Sequence, residues 1–278
     1  MKIKLYSETL GREVEVPETP KRIVSLSPAI TETLYLLGLE DRIAGVSVFC
    51  HKPPEARKKP KVGSYYKVDY KKLEELKPDL ILTTTGAQLK VVRELEEKGY
   101  TVYPIPLPIT VYGILDEIVT IGIVTGEIPK ARKLAAELNM KLSKLYKTLN
   151  GVKAYYEIFL GGPVSAGAHS YIADAFDYLG VETPFTHHRE PWVINPDPQR
   201  IIEFDPQIII YEQSPYIETT IEKIKREMTE RGLENLKPLR EDKIIILPPD
   251  TLAHYGPSLI DSLQMLTHRI KQTLQKDT

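Results

Sequence analysis

"VDYKKLEELKPDLILTTT", residues 68–85, returns 128 positions later as "PDPQRIIEFDPQIIIYEQ", residues 196–213. In each copy an Asp (Asp69, Asp197) stands four residues before an aliphatic (Leu73, Ile201), and Leu76 or Phe204 follows three further on. A charged residue and a proline (Pro78, Pro206) then lead into an aliphatic triplet, Leu80 to Leu82 or Ile208 to Ile210. The pattern predicts a short helix running into a buried strand. The Asp accepts from free amides of the first turn, Pro198 suits the first helical position, and Pro78 or Pro206 ends the helix. A triplet apolar at every position fits a strand covered on both faces.

A second echo stands upstream of each copy. "SLSPAITETLYLLGLED", 25–41, and "SAGAHSYIADAFDYLGVET", 165–183, both read as a Ser-rich loop, a helix, and then Leu-Gly-aliphatic-Glu. Two echoes in the same order make the halves copies of one α/β unit. Further strands are expected at "RIVSLSP", "IAGVSV", "TVYPIPL" and "AYYEIFL", with a helix over "VVRELEEKG" ended by Gly99. Strands and helices alternating at this spacing predict mainly parallel sheets with helices on both faces. The opening "KIKLYSETLGREVEVP" reads as a hairpin around Gly11 that caps one sheet edge.

Between Val111 and Gly151 the strand signal disappears. Leu134, Leu138, Leu142, Leu145 and Leu149 form one apolar stripe, which predicts a helix of about six turns over 128–150. The division that follows is an N-terminal α/β lobe, 1–110, a helical connector, 111–151, and a C-terminal α/β lobe, 152–278. The long helix joins the lobes as a rigid backbone, and the two sheets leave a ligand cleft at their carboxyl ends.

Composition narrows the function. With 37 basic and 38 acidic residues, no bulk charge points to nucleic acid or a membrane surface. Cys50 is the sole cysteine, so an intrachain disulfide and a multi-cysteine metal site are excluded. No apolar run reaches the roughly 18 residues of a membrane span, and the first twenty residues lack the apolar core of a leader. The chain is therefore expected outside the cytoplasm if a leader has been trimmed, and in the cytoplasm if Met1 is the native start. No phosphate loop, nucleophile elbow or local metal spacing occurs, so no catalysis and no cofactor are expected. A metal site assembled from His51, His169, Asp250 and His254 is the alternative.

The loops ahead of Asp69 and Asp197, "GSYYKV" and "EPWVIN", border the predicted cleft. They place Tyr65 and Trp192, the only tryptophan, in equivalent positions, an arrangement suited to a flat conjugated ligand between aromatic faces. Phe49, after the second strand, is a third wall residue, and Asp250 and His254 in "LPPDTLAHYGPS" are polar contacts. Other readings remain open: aromatic lids over a core, a core Phe49, a helix-capping Asp250 and an exposed His254.

The segments "PKRIVSLSPAITETLYLLGLEDRIAGVS", "KPPEARKKPKVGSYYKVDYKKLEELKPDLIL" and "SAGAHSYIADAFDYLGVET" together resemble the class III substrate-binding proteins of ABC importers, two lobes joined by a helical backbone. Within that class the chain is most similar to the vitamin B12 (cobalamin) binding proteins. Haem and ferric-siderophore binders share much of the stretch from Arg22 to Leu82. The resemblance implies a monomeric receptor that captures a corrinoid and passes it to a permease. It places that family's aromatic walls on Phe49, Tyr65 and Trp192 and its last-loop Asp on Asp250, with His254 where the family has Arg. The two docking Glu of the family fall on Lys71 and Gln199, with Glu74, Glu75 and Glu203 within a turn. A haem or siderophore receptor, or an intracellular corrinoid or metal-handling protein on this scaffold, is the alternative.

Overall fold

The repeated helix-to-strand unit forms in both places. The computed structural model describes residues 1–64, 66–214 and 217–275. Asp69 caps a helix by accepting from the amide of Lys72 at 3.1 Å, and Asp197 caps another by accepting from Gln199 at 3.0 Å. Both helices end on a residue in the left-handed region, Lys77 (φ 46°) and Asp205 (φ 51°), just before the proline. The strands that follow, Leu80–Thr84 and Ile208–Glu212, are buried at every position.

One lock recurs at both junctions. Arg22, which leads into the first parallel strand, donates from Nε to the carbonyl of Leu76 at 2.7 Å. Its backbone amide donates to the Asp79 carboxylate at 2.9 Å, and its carbonyl accepts from the Asp79 amide at 3.0 Å. Lys153 repeats each bond: Nζ to the carbonyl of Phe204 at 3.2 Å, its amide to Gln207 Oε1 at 3.0 Å, and its carbonyl from the Gln207 amide at 2.8 Å. A basic side chain thus satisfies a carbonyl left free at the helix end, while the residue after the proline fixes where the incoming strand starts.

In chain order the strands are β1 (Lys2–Ser7), β2 (Arg12–Pro17), β3 (Ile23–Ser25), β4 (Ile43–Val46), β5 (Leu80–Thr84), β6 (Val102–Ile105), β7 (Val152–Phe159), β8 (Pro163–Ala166), β9 (Val181–Glu182), β10 (Trp192–Ile194), β11 (Ile208–Glu212) and β12 (Ile244–Leu247). The α-helices are α1 (Pro28–Leu36), α2 (Tyr70–Leu76), α3 (Leu89–Glu97), α4 (Val111–Thr125), α5 (Ile128–Ser143), α6 (Tyr171–Leu179), α7 (Pro198–Phe204), α8 (Ile221–Thr229), α9 (Lys237–Arg240) and α10 (Leu259–Leu274). Among the described residues no helix is long and apolar enough to cross a membrane.

The chain divides into two compact units, Met1–Pro108 with Tyr112–Asn139, and Ile109–Val111 with Met140–Thr278. The first holds a wholly parallel sheet in the order β4-β3-β5-β6. In the second, β9, β7, β11 and β12 pair in parallel in the matching order, so the duplication extends to the topology. α4 and most of α5, expected as a separate connector, group with the first unit.

Three expectations are corrected. β1 and β2 make a sheet of their own and extend no other sheet by a ladder; at the edge strand β6 the Tyr103 hydroxyl donates instead to the carbonyl of Tyr6 at 3.0 Å. The six-turn helix stops at Ser143, because the amides of Lys147 and Leu149 donate instead to the carbonyls of Tyr178 and Leu179 at the end of α6, with Lys147 at φ 52°. The predicted loop "EPWVIN" is the edge strand β10, antiparallel to β8, which itself folds back on β7 through Gly161 and Gly162.

β9 pairs with the start of β7, at Val152 and Lys153, whereas β8 pairs with its end, at Ile158 and Phe159. The antiparallel pair β8–β10, whose strands are separated in the chain by α6 and β9, therefore occupies an edge that β9 leaves free. Gly167 secures it: its amide donates to the carbonyl of Pro191 at 3.0 Å, that of Ala168 to His188 at 2.7 Å, and a Cβ at Gly167 would lie 2.0 Å from the carbonyl oxygen of Glu190. Only glycine admits this approach.

Two measurements test the account. Asp79→Ala removes a charged acceptor of two amides and is expected to cost about 2 kcal/mol in urea unfolding, against about 1 kcal/mol for the neutral Gln207→Ala. Gly167→Ala is expected to push residues 188–191 off the turn and to red-shift the emission of Trp192 in the otherwise folded protein; an unchanged spectrum would contradict the packing.

Candidate functional site

In the first unit the loop after β4 is built on a buried polar cluster. Thr31 Oγ1 donates to Ser25 Oγ at 2.8 Å, and the Cys50 sulfur sits 3.1 Å from Thr31 Oγ1 and 3.2 Å from Ser47 Oγ. Burial pushes the Cys50 thiol up, so the residue packs rather than reacts. Lys61 Nζ donates to the carbonyls of Cys50 and Ala56, at 3.2 and 3.0 Å, and closes the loop beneath. Phe49 is half-buried on this loop, its carbonyl 2.8 Å from Nδ1 of His51.

The amide of Val48 donates to the carbonyl of Gly63 at 2.8 Å, setting the following turn against the loop. Gly63 lies at φ 121°, and a Cβ there would come within 2.2 Å of the Lys67 carbonyl oxygen. A depression of about 500 Å³ opens between Val48 and Gly63–Ser64–Lys67–Tyr70. Val48, 52 % exposed, and Tyr66, 74 % exposed, are apolar surface that sequence reading did not single out. Tyr65, predicted as the aromatic wall here, lies outside the described residues.

In the second unit one rung crosses the sheet at its carboxyl end: Ile194 opposite Val164, Val164 opposite Ile158, Ile158 opposite Glu212, and Glu212 opposite Leu247. Trp192 stands two residues before this rung, opposite Ala166. Strand alternation sends Val193 into the core formed with Tyr155, Ile209 and Tyr211, and so turns Trp192 and Ile194 to the other face. Trp192 is half-buried, while Ile194 is 73 % exposed at the rim. The period-two spacing of Trp192 and Ile194 was the available signal for Ile194, and a loop assignment concealed it.

Asp250 and His254 share the loop that follows β12. Asp250 is no helix cap, since α10 starts at Leu259 after Ser258, and it takes a left-handed conformation, φ 55°. His254 is not exposed. It is 4 % accessible, stacked near Tyr255 at 6.5 Å between ring centroids, and Tyr255 meets Tyr171 of α6 edge-on at 5.9 Å.

The residue that sequence reasoning missed is Glu212. It is wholly buried, and its carboxylate gathers the backbone amides of Thr251, Leu252 and Ala253 on Oε1 at 2.8, 3.1 and 3.0 Å. The Tyr156 hydroxyl donates to Oε2 at 2.9 Å. Burial pushes the carboxyl up to about 7, against the amides and the tyrosine that pull it down. An acid closing an otherwise aliphatic strand, "IIIYE", was the visible signal.

Elsewhere, a groove of about 820 Å³ lies by the amino end of β12, where Lys225 pairs with Asp242 at 2.6 Å and Lys243 with Glu241 at 2.9 Å. Its charges answer one another, and it is far along the strand from the carboxyl rim. Among the described residues no three His, Cys, Asp or Glu side chains are placed to hold a metal ion, so His51, His169, Asp250 and His254 are not gathered into one. Lys71 and Gln199 are exposed in the first turns of α2 and α7, and Gln199 donates to Glu203 at 3.0 Å.

The geometry has known counterparts. An uncharacterized ABC transporter substrate-binding lipoprotein, YvrC of Bacillus subtilis, is 25% identical over 271 residues, covering 94% of this chain and 83% of its own. A vitamin B12-binding protein of Vibrio cholerae is 24% identical over 260 residues, 92% of this chain and 91% of that one. The crystal structure of the periplasmic vitamin B12 binding protein of Vibrio cholerae matches with a TM-score of 0.75 at 22% identity, over 92% of this chain and 99% of that one. The periplasmic heme binding protein HutB of the same organism matches with a TM-score of 0.77 at 18% identity, over 91% and 98%. These likenesses show the fold: two α/β lobes with a helical backbone. Residues 23–251 match the family model for periplasmic binding proteins, and the chain belongs to that family.

Proposed function

We propose that the chain is a receptor that captures a corrinoid with the carboxyl-end loops of its α/β units and delivers it, unaltered, to the permease of an ABC importer. The observation that carries this reading is the β10 face. An indole and an isoleucine are turned away from the core on one short strand that small residues back and Gly167 fixes, so a rigid apolar surface stands ready for a flat macrocycle. Phe49, Val48 and Tyr66 supply apolar surface in the first unit, with Tyr65 retained as a proposed wall residue. Asp250 is the proposed polar contact, and His254 acts through Tyr255 rather than by direct exposure.

Relatives named for vitamin B12 support the corrinoid, and delivery follows from the family's association with importers. Glu74 and Glu203, the latter accepting from Gln199, are the carboxylates offered to a permease around Lys71 and Gln199. Haem is the second reading, favoured by His188, which is half-buried and bonded through its carbonyl to Ala168 beside the β10 strand.

Titration with cyanocobalamin is expected to quench Trp192 fluorescence at micromolar protein, and Trp192→Ala to weaken binding roughly tenfold by calorimetry through loss of ring stacking. Absence of both quenching and heat removes the corrinoid, and a shifted Soret band on adding hemin installs haem in its place.

A further inference from the structure

We propose that Glu212 is the positioning residue of the ligand-binding loop: its carboxylate holds residues 251–253 in the one shape that presents Asp250, and adding a proton to it loosens that loop. The ligand half of this proposal rests on the corrinoid reading above; the hold on the loop does not.

The argument starts from the backbone. Asp250 at φ 55° turns the chain so that three consecutive amides, of Thr251, Leu252 and Ala253, point the same way. Successive N–H groups that converge like this form a concavity for an anion. The anion is supplied from within the protein by a side chain one strand away, on the rung that also carries Leu247, from which the loop departs. Leu252 and Ala253 also reach Oε2 at 3.2 Å, so both oxygens share the load. Thr251 Oγ1 donates to the carbonyl of Pro248 at 2.7 Å and closes the near side of the turn.

Every group that reaches the carboxylate is a donor. Tyr156 comes from β7 and is itself packed against Phe176 of α6, with ring centroids 5.7 Å apart; Tyr171 of α6 is the next titratable group, beside Tyr156. Asp250, His254 and Tyr255 are the titratable groups of the loop itself. A proton on Oε2 needs an acceptor, and only the Tyr156 oxygen can turn to become one. The amides of Leu252 and Ala253 then lose their second oxygen, and all three bonds to Oε1 lose the assistance of charge, about half their strength.

Protonation lies within the physiological range because burial holds the carboxyl at about 7, above its ordinary 4.5. The folded chain therefore binds this proton more tightly than the unfolded one. Its contribution to global stability is complete below about 4.5 and is lost as pH rises through about 7, whereas local order of the loop runs the other way, strongest when the carboxylate is bare. That opposition separates positioning from a merely structural role.

The test is amide hydrogen exchange of residues 251–253 in the unliganded full chain, corrected for intrinsic rates, alongside cyanocobalamin affinity. Wild type is expected to lose protection roughly tenfold between pH 8 and pH 6, and Glu212→Gln to be roughly tenfold less protected at pH 8 with no pH dependence, β11 amides being unchanged. Affinity for cyanocobalamin should fall by a similar factor in the variant. Equal protection in the two proteins at both pH values overturns the proposal, as does a loosened loop with unaltered affinity. Should Glu212→Gln fail to fold, Tyr156→Phe removes one donor that favours the carboxylate. The pH midpoint of loop protection should then move upward, and an unmoved midpoint counts against it. If wild type binds no cyanocobalamin the corrinoid reading falls, and the exchange data alone decide whether Glu212 holds the loop.

Discussion

The fold depends on a junction made twice. A parallel strand cannot be reached by a tight turn, so each must be entered from a helix, and the point where helix becomes strand leaves carbonyls that need donors. Arg22 and Lys153 provide them from the first strand of each unit, and Asp79 and Gln207 answer by binding the backbone of those same residues. Three bonds thereby set the order in which β3 and β5, or β7 and β11, lie side by side. They act between segments more than fifty residues apart, so they specify pairing rather than local conformation. Substituting a neutral amide and a lysine in the second copy keeps all three bonds, which shows that geometry, and not the charge of any one partner, is what the junction needs.

Once the parallel cores are fixed, the units differ in what borders their carboxyl ends, among other additions. In the first unit the space beside β3 is taken by β4 and a loop tied down through Lys61 and the Cys50 cluster. In the second, β9 is two residues long and leaves the upper half of β7 unpaired. An unpaired edge in a buried sheet is costly, and β8, folded back from β7, covers it, with β10 paired outside it to add a strand whose outer face carries Trp192 and Ile194. The candidate binding surface is thus a product of edge protection. Its rigidity derives from backbone pairing and from Gly167, not from the aromatic itself.

Much of this was legible in the residues. The capped helices, their ends at the proline and the buried triplets follow from short-range rules, and they appear after Asp69 and Asp197 as spacing predicts, whereas spacing does not foresee the left-handed exits at Lys77 and Asp205. What failed depended on partners distant in sequence. The leucine stripe after Ile128 continues to Leu149, but backbone pairing with the end of α6 stops the helix at Ser143. Trp192 was assigned to a loop because the period-two spacing of a three-residue strand is too short a run to stand out by itself, and its partner β8 lies on the far side of α6 and β9 in the chain. His254, expected as a polar contact with exposure as the alternative, is instead buried beside Tyr255, which in turn meets Tyr171 of α6. Glu212 could not be weighed at all, since its role lies in three amides some forty positions away.

That acid also shows which part of the structure sets the demand. β11 is otherwise Ile208, Ile209, Ile210 and Tyr211, and a fifth apolar residue would continue its packing without the cost of burying a carboxyl. The sheet therefore has no need of Glu212. The loop does, because Asp250 in the left-handed region aims three amides inward at this one carboxylate, and an apolar neighbour would strand all three. A buried charge is tolerated here in exchange for a loop of defined shape at the carboxyl rim. The same residue then lies under the loop that carries Asp250 and His254, the predicted polar contacts of the second unit, so the shape of that loop is set from beneath.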